Sequence, residues 1–216
     1  MDESRYVPVF FDIETTGLNP LAQGWHRYQD YDAQVFAVGL GYFDDWPDGC
    51  EEPVTETVWE SDEYRMLQQL RKKMHNLADD LEGNDREIFL VGWNSRAYDH
   101  PYLVARYSRL RQDPFPFCHK RKRLDMMRIV RNNTGKFWKE DDYAEFLGVE
   151  DDDPYTGADM PDAFNNNEWD KIFTHVESDT EVMLEVFKRE KEMFMQGFYD
   201  HYGIDREPVF IDDVEL

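Results

Sequence analysis

Two carboxylates, Asp12 and Glu14, stand two residues apart at the end of an apolar run from Val7 to Phe11. On a β-strand, residues i and i+2 point to the same face, so this pair would be held side by side at the rim of a core strand. Carboxylates so placed are rarely buried without a positive partner, and a divalent metal ion is the obvious one. Spacing alone says little in a chain with 47 acidic residues: Asp151 and Asp153 share it in what reads as a loop. The apolar run before the pair, and the turn-like Thr15-Thr16-Gly17-Leu18 after it, set Asp12 and Glu14 apart.

Two more acids could join them. Asp99 follows the apolar segment Phe89 to Val91 and a polar loop, at the start of a helix. It reads either as a metal ligand or as an N-cap, with Pro101 tolerated in the first turn. Asp179 lies within an apolar stripe formed by Ile172, Val176, Met183 and Val186. That spacing turns it toward a sheet, while Glu177, Glu181 and Glu185 fall on the outer face. His175 is one turn earlier on the same side as Asp179, either near the chemistry or as a structural histidine satisfied by a hydrogen bond.

Strands are expected over Val7–Ile13, Ala33–Phe43 and Val54–Trp59, the last two joined by an Asp-, Pro- and Gly-rich turn from Asp44 to Glu52. A helix capped by Ser61 or Asp62 should run to about Leu81, followed by a strand over Glu87–Val91 and a helix over Asp99–Arg111. Shorter helices are expected near Asp125–Arg131 and Asp141–Phe146, an acidic turn-rich stretch over 148–163, and one long helix from Glu168 to Phe198. Strands first, then strands alternating with helices, give an α/β fold: three antiparallel strands plus parallel strands in a mixed sheet flanked by helices. One domain over 1–203 is expected, with a tail over 204–216 that adds an edge strand or stays loose.

With 216 residues, 41% hydrophobic and 15% aromatic, the chain suits one folded domain with a sizeable core. No apolar run approaches the ~20 residues of a membrane span, so no membrane partner is expected. Met1 to Arg5 lead directly into the first strand, so no signal peptide is expected, and Cys50 and Cys118 are too few for a disulfide scaffold. A reducing cytoplasm is the expected location.

The net charge of −23 is spread along the chain, and lysine is scarcer than arginine, as in proteins of extreme halophiles. Such a surface repels itself in dilute buffer, whereas at about 1 M salt the screening length falls to roughly 3 Å. An acidic partner-binding face is the other reading. Counterion release weakens with salt, so nucleic-acid binding in molar salt would lean on metal ligation, stacking and hydrogen bonds.

Taken together, these segments resemble the DEDD superfamily of 3′–5′ exonucleases, which have a ribonuclease H-like fold. Phe11-Asp12-Ile13-Glu14-Thr15-Thr16-Gly17-Leu18 is similar to the first exonuclease motif. Gly92-Trp93-Asn94 through Tyr98-Asp99-His100-Pro101-Tyr102-Leu103 is similar to the second, in the form found in B-family DNA polymerases, and His175 to Asp179 matches the third in position. Gly157 to Phe164, with the helix after it, also resembles stand-alone polymerase-B-like exonucleases. His175 departs from the pattern: it stands at the spacing of the family's tyrosine form of the third motif, which implies a continuous helix there.

The resemblance implies hydrolysis of phosphodiester bonds at single-stranded DNA 3′ ends with two divalent ions, Mg²⁺ or Mn²⁺. Asp12 would bridge both ions, Glu14 and Asp179 would hold the one that activates water, and Asp99 the second. His175 would orient or deprotonate the water. The Thr15 amide would meet the terminal 3′-hydroxyl, and Leu18 would wedge between bases or simply pack in the core. Asn94 would contact substrate or brace its loop. Lys120, Arg121, Lys122 and Arg123 form a dense basic run that either holds phosphates of the incoming strand or is a solvated loop paired with acids. An RNA 3′–5′ exonuclease and an inactive nucleic-acid-binding module are the competing readings. The chain lacks the bulk of a polymerase domain, so a proofreading role in replication or repair would need a partner.

Overall fold

The structure is a computed structural model, which describes residues 5–17, 33–82, 86–112 and 122–204. A five-stranded mixed sheet carries the fold, in the order β3-β2-β1-β4-β5. The strands are β1 (Tyr6–Thr15), β2 (Val35–Phe43), β3 (Pro53–Trp59), β4 (Glu87–Gly92) and β5 (Arg123–Asp125). β1, β2 and β3 pair antiparallel; β4 and β5 then pair parallel to β1. Helices α1 (Glu63–Glu82), α2 (Asp99–Arg109), α3 (Met126–Thr134), α4 (Glu140–Leu147), α5 (Met160–Asn166), α6 (Trp169–Arg189) and α7 (Lys191–Tyr202) flank the sheet. No helix among the described residues is long and apolar enough to cross a membrane.

The central strands are apolar on both faces because helices cover both, as parallel pairing requires. β2 nonetheless carries two glycines. A Cβ at Gly41 would stand 2.8 Å from Leu184, and one at Gly39 would strike Thr180 and Val176. α6 therefore lies directly on β2 at this point, closer than any side chain on β2 would permit. Asp12 is the cross-strand partner of Gly39, and Glu14 that of Ala37. Directly opposed residues share a face, so the sheet register alone turns Asp12 and Glu14 toward α6.

Three expectations are corrected. β5, only three residues long, precedes the helix expected at Asp125; Asp125 is the N-cap of α3, its Oδ1 accepting from the Arg128 amide at 3.2 Å. The acidic stretch over 148–163 holds a 3₁₀ turn over Gly157–Asp159 and the start of α5, pinned by a small cluster of Phe36, Ala37, Met160, Ala163, Ile172 and Val176. The long C-terminal helix is two, breaking at Glu190. The bend lays α7 on the core, where the Phe198 ring meets Phe89 at 4.2 Å and Tyr6 at 5.4 Å. Residues 205–216 of the expected tail lie outside the described residues.

A buried ion pair fastens the helices beside the site. Glu63 Oε1 accepts from the Val35 amide at 2.8 Å and from Arg106 Nε at 2.7 Å, and Arg106 Nη2 pairs with Oε2. Both residues are buried. Removing one partner of such a pair strands the other's charge, so Glu63→Ala is expected to cost about 3–5 kcal/mol in a denaturant titration. A loss below about 1 kcal/mol would mean that water replaces the carboxylate.

Candidate active site

Three elements deliver the acids to one place. β1 supplies Asp12 and Glu14, and its pairing with β2 shifts register between Glu14 and Thr15. Such bulges bend a strand out of its ladder and re-aim the residues beside them. Thr15 Oγ1 then donates to the Gly17 carbonyl at 2.7 Å and lies 3.3 Å from the Tyr98 hydroxyl, tying the strand end to the loop after β4.

That loop turns sharply. Gly92 tolerates no side chain, since a Cβ there would stand 2.7 Å from Ser95 and 3.0 Å from the Phe11 carbonyl. Asn94 has a left-handed φ of 55°, which asparagine adopts more readily than most residues. The chain then enters α2 at Tyr98, which is the N-cap. Asp99 is the first residue inside the helix and is buried, so it does not take the capping role.

α6 runs unbroken through His175 and Asp179. His175 Nε2 lies 3.3 Å from Glu14 Oε1 and 3.5 Å from Asp179 Oδ2. One ligand atom from each of Glu14, His175 and Asp179 lies within 4.8 Å of the others. Asp12, Glu14, Thr15, Trp93, Asn94, Tyr98, Asp99, His175 and Asp179 line an open cleft of about 560 Å³.

The electrostatics are those of buried, crowded anions. Burial, then the charges of Asp99, Glu14, Asp179 and Glu140, hold the Asp12 carboxyl well above the ordinary range. Burial raises Glu14 against the pull of His175. Asp99 is pushed up to about 8, by burial first and then by Glu14 and Asp125, despite a bond from its own amide. Asp179 reaches about 7, burial outweighing His175. Burial alone would depress His175, but Glu14, Asp179 and Asp153 outweigh it and lift the imidazole to about 10. Among the described residues no lysine or arginine forms an ion pair with any of the four acids, and buried His175 Nε2 makes no hydrogen bond of good geometry. Hard, oxygen-rich donors crowded together, with the His175 imidazole as their one cationic neighbour among the described residues, fit a divalent metal ion.

Two acids here escaped sequence reasoning. Asp153 Oδ2 lies 2.5 Å from His175 Nδ1, behind the imidazole and away from the cleft. Its neighbour Asp151 accepts from Ser178 at 2.8 Å, fastening the loop to α6. Glu140, the first residue of α4, buries an Oε1 that has no hydrogen-bond partner among the described residues, and its charge reaches Asp179, Asp99 and Asp12.

The basic run divides. Leu18, Lys120 and Arg121 lie outside the described residues. Lys122 Nζ bonds both Glu87 carboxylate oxygens at 2.9 and 3.0 Å and sits 4.8 Å from the centre of the Tyr6 ring. Tyr6 begins β1, so the six residues from there to Asp12 separate Lys122 from the cleft by roughly 20 Å along the strand. Arg123 Nη1 is 3.0 Å from His100 Nδ1.

Solved structures share this fold. The family B DNA polymerase of the hyperthermophilic archaeon Pyrobaculum calidifontis superposes with a TM-score of 0.63 at 18% identity, over 86% of this chain and 24% of the polymerase. E. coli Exonuclease I, in complex with a 5cy-dT13 oligonucleotide, superposes with a TM-score of 0.55 at 12% identity, over 92% of this chain and 43% of that one. The present chain thus spans less than half the length of either protein. No curated protein matches the sequence. A family model described as RNase_H superfamily matches residues 9–189, which takes in all five strands but the first three residues of β1, together with every residue lining the cleft. By that match and by its sheet, the chain belongs to the RNase H superfamily.

Proposed function

We propose that this chain is a metal-dependent 3′–5′ exonuclease that hydrolyses phosphodiester bonds at the 3′ ends of single-stranded DNA. The observation that carries the reading is the meeting of Asp12, Glu14, Asp99 and Asp179 around one open cleft, with His175 beside them. These four acids would hold the metal, Mg²⁺ or Mn²⁺. When bound, a pair of such ions neutralises charge on the attacking and leaving oxygens of an in-line displacement. The DEDD pattern of acids and the likeness to Exonuclease I, solved with a dT13 oligonucleotide, favour DNA ends over an internal cut.

His175 orients the attacking water at Nε2, and serves as its base only where bound cations offset the acids that lift the imidazole to about 10. Asp153 keeps a proton on Nδ1, which leaves Nε2 turned to the cleft, and a carboxylate behind an imidazole also raises its basicity. Thr15 and Asn94, which also line the cleft, receive the terminal nucleotide.

His175→Ala is expected to lower kcat by about 10²-fold or more, the usual contribution of a positioned acid–base group. Asp153→Ala should lower it by about 10–100-fold with KM little changed. Unchanged rates in both variants would remove the pair from the mechanism.

The test of the reading is digestion of 5′-labelled single-stranded DNA and RNA with Mn²⁺ in molar KCl, the condition that the acidic composition favours. A ladder shortening from the 3′ end is expected on DNA. A ladder on RNA alone would reassign the sugar, and binding without any ladder would make the chain a recognition module.

A further inference from the structure

Behind the loop that walls the catalytic cleft lies a second cavity, of about 350 Å³. Its walls carry Arg96 from that loop, Arg123 from β5, Arg128 and Asn132 one turn apart on α3, and His201 from α7. Arg96 stands two residues beyond Asn94, which lines the cleft itself. The two cavities therefore share that loop as a wall.

Three guanidinium groups in one cavity are unexpected in a chain of net charge −23. Two acids, Asp125 and Asp200, line it as well, and the charge of Asp125 acts on Arg96. Asp125 spends its oxygens on the backbone amides of Arg96, at 3.4 Å, and of Arg128, at 3.2 Å. Asp200 accepts from Gln196 at 2.5 Å. Arg96 Nη1 reaches His201 Nε2 at 3.1 Å. Burial, then Arg96 and Arg128, hold His201 below its ordinary pKa, so at neutral pH it is an uncharged acceptor. Among the described residues the Arg128 guanidinium forms no hydrogen bond or ion pair, although its charge acts on His201. What remains is a concave set of planar donors, the shape that phosphate oxygens satisfy bidentately.

We propose that this cavity is a phosphate subsite for the single strand whose 3′ end enters the neighbouring cleft, with Arg96 and Arg128 as its principal donors. The subsite rests on the exonuclease reading and adds to it a second point of attachment, upstream of the bond that is cut. Contacts at hydrogen-bond distance lie within the roughly 3 Å screening length of molar salt, so the subsite keeps working where long-range attraction is lost. It also moves the phosphate contact away from Lys122, which is engaged by Glu87.

The test compares two substrates on the parent protein and the double variant Arg96→Ala/Arg128→Ala, in molar KCl with Mn²⁺. A mononucleotide p-nitrophenyl ester occupies the cleft alone; a single-stranded oligonucleotide of about fifteen residues reaches both cavities. Loss of the subsite should raise KM for the oligonucleotide about tenfold or more, as expected for lost charge-assisted hydrogen bonds, and leave the ester unchanged. Arg128→Lys should recover part of the loss. An unchanged oligonucleotide KM, or equal losses on both substrates at an unaltered melting temperature, would overturn the subsite. A parent protein that cleaves neither substrate fails the exonuclease reading itself. If the double variant does not fold, Arg128→Gln, at an exposed position, carries the same comparison.

Discussion

Replacing Asp12 by asparagine should slow degradation of single strands by on the order of 10³-fold and, without metal, raise the melting temperature. The two effects have one cause. A clamp of divalent ions supplies several kcal/mol of transition-state charge stabilisation, and each 1.36 kcal/mol is worth about a factor of ten in rate. Asp12 faces Asp99, Glu14 and Asp179 at once, so its loss disturbs the whole donor set. Without metal that same position is a liability. The substituted amide keeps the shape of the carboxylate and removes a group whose ionisation burial and the neighbouring acids oppose. A gain of about 1 kcal/mol would appear as about 2–4 °C in a domain of this size. Full activity, or a variant that melts lower than its parent with no metal present, would count against a cation site at this position.

Stability should also fall with pH in a way that metal reverses. An unfolded aspartate titrates near 3.9, whereas Asp179 in the fold titrates at about 7 and Asp99 at about 8. Between those limits the folded state binds more protons than the unfolded chain, so the slope of stability against pH is negative. The contribution is whole below about pH 4 and is lost as pH rises through 7 and 8. His175, lifted to about 10, acts in the same sense above its unfolded value. Melting curves in EDTA are therefore expected to drop from about pH 6 to about pH 8. Mn²⁺ should restore more at the upper end of that interval than at the lower, because it replaces protons that are held more weakly there. Molar KCl suppresses repulsion across the acidic surface, so the remaining slope reports the buried cluster. A melting temperature that is flat or rises across this interval would show that the four acids carry no mutual strain.

The residues that betray themselves in the sequence are those whose neighbours have a regular period. Asp12 and Glu14 end an apolar strand, and Asp179 interrupts an apolar helical stripe; in both cases alternation or helical spacing tells which way the carboxylate points. The same logic places β1 to β4 within two residues of their ends. Asp153 has no such frame. It meets His175 across 22 residues from an irregular loop, and only its partner distinguishes it from Asp151 beside it. Glu140 hides in the acidic run Glu140-Asp141-Asp142 at a helix start, where acids are common for their interaction with the helix dipole. Glycines at 39 and 41, alternating with Val38 and Leu40, mark a strand face that must admit a close neighbour. The break at Glu190 has neither proline nor glycine, and β5 is shorter than any pattern a window can detect.

Anomalous diffraction from crystals soaked in Mn²⁺ with a single-stranded oligonucleotide bears on the acid cluster without reference to rate. Density is expected among Asp12, Glu14, Asp99 and Asp179, resolving into two peaks about 4 Å apart once the 3′ end is seated. Mn²⁺ found only on outer acidic residues such as Glu177 or Glu181, with the cleft clear, would refute the cation centre and the hydrolytic function built on it.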